Sequence, residues 1–446
     1  MEAVSPVAVC FVPSVVKGPE RRPAPLAVGR ADRRGECFEA LDVPRSSNAQ
    51  PWGAGEEASP APLPRGERES PRGTPRPGAS GALGTMAGSV DIGCREGDQR
   101  RSVRKRLSAL QDVVAALMPR DRVSGCGRRP NGSAVSIRLR DGHAFAVGLQ
   151  TCASVWLCPC CGRRIAAQRR GELNQLLAWA RGRGLQVVMM TRTVRHHRHM
   201  ALDWLFRASR AATKRFYQSR EWRALKPFLQ GHVTATECPA GANGFHPHTH
   251  TILLVKAQDE RAALGLLGGL RGVWERCLQK EGLECNDHGF DIRGHAGAGD
   301  YISKWGVAEE LTFSQAKEGA RANKGRTPWQ LLAVAGGVVR DPLFSSRQAM
   351  ALWHEYAAAT KGRRQLVWSR GLKAQAGIGE VSDQEAADTT DEAASEVARL
   401  SAAQWRAVVR HGLRATLLDR VEMEGLAGVA AVLRLVTLRG AGDGHE

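Results

Sequence analysis

The chain has 446 residues, enough for two or three domains, and carries 64 Lys and Arg against 45 Asp and Glu, a formal net charge of +19. A surplus of that size serves a polyanion, most often nucleic acid; a GC-rich genome that scatters arginine is the bland alternative. No apolar run approaches the roughly 20 residues of a membrane span, and the apolar stretch 4–16 is broken by Pro6 and Pro13 with no basic residues ahead of it, unlike a secretory signal, so a soluble, cytoplasmic protein is expected.

Residues 1–98 hold 13 of the 21 prolines and no helical or strand period, a composition that cannot offset its ordering entropy and predicts a disordered tail. Region 99–180 comes next. Val103, Leu107, Leu110 and Val114 recur at helical spacing over 99–118, beside Arg100, Arg101, Arg104, Lys105 and Arg106, and predict an amphipathic helix with a cationic face. Stretches 134–139 and 144–149 flank Asp141-Gly142, a strong hairpin signal. A helix follows over 165–180 with Leu173, Leu176, Leu177 and Ala180 on one stripe.

Region 181–375 then alternates regularly: strand 185–194, helix 202–220, strands 231–238 and 248–255, helix 258–281, strand 289–293 and a short helix over 298–306. This order is that of the ferredoxin-like split β-α-β arrangement, an α+β fold with a mainly antiparallel sheet and helices on one face. Seven acidic residues and no basic ones between Glu380 and Glu396 mark 376–399 as an acidic linker, and 400–446 reads as a small helical region.

Two clusters carry chemistry. Of eleven cysteines, Cys152, Cys158, Cys160 and Cys161 crowd into CASVWLCPCC. In a reducing compartment such a crowd binds metal more often than it forms disulfides. Cys158 and Cys161 lie on one tight turn, and Cys152 with Cys126 complete a tetrahedral structural Zn²⁺ set if the hairpin brings its ends together; Cys160 could replace a neighbour. In GFHPHTHTILLV, strand alternation puts His248 and His250 on one face. Pairing with the preceding strand brings Glu237 beside them, on the face of Val233 and Ala235, where a carboxylate belongs only if it is paired or bound to metal. Two imidazoles and a carboxylate suit Mn²⁺ or Mg²⁺, although imidazole also admits Zn²⁺. His246 has the same parity, but Pro247 interrupts the strand and leaves it outside the ligand set.

Downstream, Tyr301 and Lys304 share a helix face. The chain has three tyrosines; core stripes account for Tyr217 and Tyr356, and Tyr301, a surface tyrosine if taken alone, becomes with the metal set a candidate nucleophile for a metal-polarised phosphodiester.

These residues carry a resemblance. TRTV at 191–194 followed by His196, HPHTH at 246–250 and DYISK at 300–304 resemble, in that order, motifs I, II and III of the rolling-circle plasmid replication initiators of the HUH endonuclease superfamily. Cys126-Gly127 and CASVWLCPCC resemble the cysteine-rich segment of one branch, and GRTPWQLL at 325–332 and RRQLVWSRGLK at 363–373 are similar to its later blocks. Residues 100–375 are covered. The resemblance implies an HUH nicking domain in which His248, His250 and Glu237 hold Mn²⁺ or Mg²⁺ against the scissile phosphate. Tyr301 attacks to leave a 5′-phosphotyrosine and a free 3′-OH primer, and Lys304 positions the phosphate or stabilises charge. Where the branch has an acidic residue four positions before the tyrosine, this chain has Gly297, which leaves Asp300, Glu309 and Glu310 as substitutes.

The partners implied are origin DNA, as a single-stranded or hairpin nick site, together with a host polymerase and, since no P-loop sequence occurs, a host helicase. A homodimer through the C-terminal region is an open alternative to an origin reader there. Arg363, Arg364, Arg370 and Lys373, with Lys361, surround Trp368 as a base-stacking, phosphate-binding stretch; Arg195 and His196, in a run continuing to His199, form a second patch; and Arg321, Lys324 and Arg326 extend the groove. Two rival readings are an HUH transposase with the same chemistry and a non-enzymatic zinc-containing DNA-binding regulator.

Overall fold

The computed structural model describes residues 89–294, 325–388 and 393–442, apart from the side chains of 89–96 and 440–442. Helix α1, Ser89–Leu117, begins ten residues before the predicted helix, inside the stretch expected to be disordered, because Gly93 and Gly97 blur the apolar period there. After a 3-10 turn at Arg122–Gly125 come β1, Ala134–Arg140, and β2, His143–Val147. Their two-residue turn has positive φ at Asp141 and Gly142, 48° and 73°, the twist that a tight hairpin requires. The chain continues with α2, Pro159–Gly182; β3, Gln186–Thr193; α3, Leu202–Gln218; α4, Arg220–Leu225; β4, Leu229–Glu237; the short β5, Ala240–Gly241, and β6, Gly244–Phe245; and β7, His248–Val255.

The single helix expected over 258–281 is two, α5, Glu260–Leu267, and α6, Leu270–Gln279, parted at Gly268-Gly269, where no side chain supports the turn. Strand β8, Phe290–Arg293, closes this part. Capping boxes, Thr327 with Gln330 and Ser345 with Gln348, start α7, Pro328–Ala335, and α8, Ser346–Thr360. Then follow β9, Leu366–Trp368; α9, Leu372–Gln375; α10, Asp383–Ala387; β10, Ser395–Ser401; α11, Ala402–Arg410; α12, Arg414–Glu424; and α13, Leu426–Gly442.

The fold is α+β, as expected. Five strands form an antiparallel sheet in the order β8-β3-β7-β4-β9. Alternation along β3 and β7 sends Val188, Met190, Leu253 and Val255 to one face, under α3 to α6 and the aromatic cluster of Phe216, Trp222 and Trp274. Val187, Met189, Ile252 and Leu254 point to the other face, where α2 lays down Leu173, Leu176 and Leu177. Helices therefore cover both faces, because α2 comes from the region preceding the sheet.

The C-terminal part departs from the predicted organisation. Strand β10 pairs with β1 from Ala134 opposite Ser401 to Leu139 opposite Ser395, making a second sheet β10-β1-β2. Residues 395–399 are thus in a strand rather than a linker, and the hairpin edge that would otherwise be open is paired. Helix α10, in the same acidic stretch, docks on α2: Arg169 meets Asp383 at 2.8 Å and Arg164 donates to the carbonyl of Ala387 at 2.9 Å. Helices α11 to α13 bury Trp405, Val408, Leu417, Val421 and Val432 against Val135, Ile137 and Ala144. Arg414 donates to Asp112 at 2.7 Å and to the carbonyl of Ser108 at 3.1 Å in α1, and Arg104 pairs with Asp419 at 2.6 Å. Residues 402–442 thus form a helical layer on the N-terminal hairpin.

Candidate metal centres

The antiparallel register of β4 and β7 sets Glu237 directly opposite His248 and Ala235 opposite His250, so the carboxylate and both imidazoles share one face at the end of the sheet. Glu237 Oε2 lies 3.2 Å from His248 Nε2 and 4.0 Å from His250 Nε2. The other ring nitrogens are engaged. His248 Nδ1 lies 3.0 Å from the carbonyl of His246, which only accepts, so Nδ1 carries the proton and Nε2 presents its lone pair. His250 Nδ1 lies 3.0 Å from Thr191 Oγ1 on the neighbouring β3, where register puts Thr191 opposite His250.

Burial, against the pull of Glu237, lowers the pKa of His250 to about 4, which keeps the ring neutral and able to ligate at neutral pH. Three donor atoms within 4.8 Å of one another, two imidazole nitrogens and a carboxylate oxygen, fit one divalent cation with ligands at about 2.0–2.2 Å. The neutral tautomers and the Thr191 support are what such a centre needs. Thr191 itself escaped the sequence analysis, although its place two residues before Thr193 in the TRTV strand is the signal that it shares this face.

Two more histidines continue the row. The ring centroids of His250 and His248 are 4.9 Å apart, those of His248 and His246 5.1 Å, and those of His246 and His196 4.8 Å. His196 and His246 approach Nδ1 to Nδ1 at 3.3 Å, so His196 extends this histidine row. The β5–β6 turn that carries His246 into place depends on Gly244, at φ +89°, where a Cβ would come within 2.9 Å of Arg198 Cα.

The four predicted cysteines also converge. Cys126 ends the 3-10 turn, Cys158 caps the N-terminus of α2, and Cys161 sits in its first turn with its backbone N–H donating to Cys158 Sγ at 3.4 Å. Sγ separations are 3.4 Å for Cys126–Cys161, 3.5 Å for Cys126–Cys158 and 3.8 Å for Cys152–Cys161. A tetrahedron of thiolates about 2.3 Å from Zn²⁺ has edges of about 3.8 Å, so the quartet fits such an ion. The hydrogen-bonded thiols act on one another: their neighbours lower the pKa of Cys161 and raise those of Cys152 and Cys158. Cys160, left open by sequence, is outside the quartet.

The predicted DNA contacts divide. Arg364 and Arg370 are exposed, and Arg195 is exposed with Glu284 at 3.1 Å. Arg363 turns inward, donating to the carbonyl of Ala359 at 2.6 Å, pairing with Asp203 at 2.9 Å and lying over the Phe206 ring. Lys373 is largely buried: it is 6% exposed, 3.0 Å from Glu172 and 3.3 Å from Glu380, and its ammonium lies over the ring of Trp368. Trp368 in turn packs against the α2 side of the sheet. Sequence alone cannot reveal this, because Glu172, the buried acid that draws Lys373 inward, is some two hundred residues away.

Tyr301 and Lys304 lie outside the described residues, as do Asp300, Glu309, Glu310, Arg321 and Lys324. Before them stands β8, hydrogen-bonded to β3. After them Arg326 bridges to Ala240, N–H to O at 2.6 and 2.8 Å, beside the hairpin that leads into His246, with its guanidinium 2.5 Å from Asp341.

Comparison with known proteins places relatives beside this geometry. Over 313 residues, 56% of this chain and 68% of the other, the sequence is 26% identical to a Streptomyces lividans protein named Protein rep. Over 159 residues, 29% of this chain and 36% of the other, it is 28% identical to a Streptomyces cyanogenus protein named Neomycin resistance protein. No protein-family profile matches the chain, and no solved structure does.

Proposed function

We propose that this chain is a plasmid replication initiator that nicks one DNA strand at an origin by metal-dependent attack of a tyrosine. The observation that carries the reading is the Glu237, His248, His250 constellation, with both Nε2 atoms turned toward one carboxylate and both Nδ1 atoms held from behind. Support comes from the similarity to the protein named Protein rep and from the strand order, which, for β3, β4, β7 and β8, matches the split β-α-β arrangement of the HUH reading. Bound Mn²⁺ or Mg²⁺ would supply Lewis acidity toward a non-bridging phosphate oxygen.

Tyr301 is the nucleophile. Of the other two tyrosines, Tyr356 is 2% exposed in a core, and Tyr217 packs on Phe216 and Trp222 with its hydroxyl near Arg192 and Thr234. The Tyr301 phenolic oxygen bonds to phosphorus, the P–O3′ bond breaks, and the proton lost by the phenol ends on the departing 3′-oxygen. The products are a tyrosine–5′-phosphate ester and a 3′-OH primer. Lys304 stabilises charge on the phosphate. The cysteine quartet holds a structural Zn²⁺, which fixes the start of α2, the helix that backs the sheet.

The test is conversion of supercoiled origin plasmid to open circles with Mn²⁺ or Mg²⁺. Wild type should convert it, and Tyr301→Phe and His248→Ala should not. Origin binding by all three proteins without cutting under any metal would replace the enzyme with a DNA-binding regulator.

A further inference from the structure

The outer face of α3 carries charge that the candidate active site does not use. Asp203, Arg207, Arg210 and Lys214 fall at i, i+4, i+7 and i+11, one stripe of the helix, and all four are exposed. With Lys361 and Arg363, just beyond the end of α8, they line a concave groove of about 560 Å³. Five cations thus face one acid. Asp203 is shared by Arg207 at 2.9 Å and Arg363 at 2.9 Å, while Arg210, Lys214 and Lys361 have no carboxylate within ion-pair distance among the described residues. Unpaired cations gathered in a concavity repel one another unless an anion joins them.

We infer that this groove binds the phosphate backbone of duplex DNA flanking the strand that enters the Glu237, His248, His250 site, an inference that rests on the proposed nicking function. The stripe from Asp203 to Lys214 spans about 16 Å at 1.5 Å per residue. That matches four to five phosphate steps at about 3.4 Å per strand. Among the described residues no aromatic ring lines the groove, so they offer backbone contacts without a stacking platform, which favours duplex over single strand. The location agrees: β3, which carries Thr191 beside His250, runs through the exposed Arg195 and Arg198 into α3.

The experiment measures binding of the full chain to a 24-base-pair duplex of arbitrary sequence between 50 and 200 mM KCl, with cleavage of a single-stranded origin oligonucleotide measured in parallel. The triple variant Arg210→Ala, Lys214→Ala, Lys361→Ala should bind the duplex at least 10-fold more weakly at 100 mM KCl, with the log–log salt slope reduced by about 2 to 3. Asp203→Ala, which removes the groove's one acid, should shift affinity the other way. Because all these side chains are exposed, an unchanged melting temperature separates lost contacts from lost fold. A triple variant with the wild-type slope, or a wild type that binds poly-glutamate and no duplex, overturns the groove. Wild type that shows the groove-dependent slope but never cleaves leaves the groove standing and removes the nicking reading. Intact cleavage with an unchanged slope does the reverse.

Discussion

Thr191 and His232 illustrate how single residues on the two sides of the sheet bear on function and stability. Thr191 Oγ1 touches no proposed reacting group, yet at 3.0 Å from His250 Nδ1 it holds the ring so that Nε2 faces Glu237. Thr191→Val should weaken Mn²⁺ binding by about 10-fold, the usual cost of removing such a support, with little change in melting temperature; isothermal titration measures it. His232, on the opposite face, stacks on Tyr217 with ring centroids 5.1 Å apart. Burial first, then the nearby Arg192 charge, lowers its pKa to about 4. The unfolded value is about 6.5. Between these values the unfolded chain binds a proton that the native state refuses. The contribution to stability is therefore complete above about pH 6.5 and is lost as pH falls through about 4. His232→Phe, which keeps the stack, should show a shallower decline of the urea midpoint between pH 7 and 4.5, and an identical decline would contradict the assignment.

At the scale of elements, the cysteine-bearing turns and the histidine strand were legible because their chemistry is written in local spacing. Cys158 and Cys161 are three apart at a helix start, and His248 and His250 are two apart on a strand. Glu237 followed from the hairpin register, a short-range consequence. What stayed hidden was long-range: the pairing of β1 with β10 joins residues about 260 positions apart, and an acid-rich stretch gives no local sign that Arg169 of α2 will receive Asp383. The quartet makes its own prediction. Cys158→Ala should lose bound zinc and melt earlier, whereas Cys160→Ser should retain one zinc per chain, measured by metal analysis and thermal unfolding. Zinc lost equally from both variants would move Cys160 into the ligand set.

Across the whole molecule, the C-terminal helices close the N-terminal hairpin, and Arg414, 6% exposed, ties α12 to Gln111 and Asp112 of α1. Arg414→Ala should cost about 1–3 kcal/mol, because it leaves the buried Gln111 side-chain oxygen without its donor, while Asp112, 36% exposed, still meets Arg128. Deleting residues from 395 onward should expose the apolar side of β1 and β2 and cause aggregation, measured by light scattering; a soluble truncation with an unchanged melting temperature would contradict this packing. The charge surplus that first pointed to a polyanion shows itself in the exposed tracks around Arg195 and α3, whereas internal pairs such as Lys373 with Glu172 are neutral and add nothing to it.

The central claim, a tyrosine nuclease centred on Glu237, His248 and His250, is tested most directly by mapping the covalent protein–DNA adduct. Origin DNA is cleaved with Mn²⁺, the adduct is digested with trypsin and nuclease, and the modified peptide is sequenced by mass spectrometry. The account predicts a nucleotide on the peptide containing Tyr301 and none in His248→Ala. A nucleotide on Tyr217 or Tyr356, or cleavage by the wild type without any adduct, would contradict it.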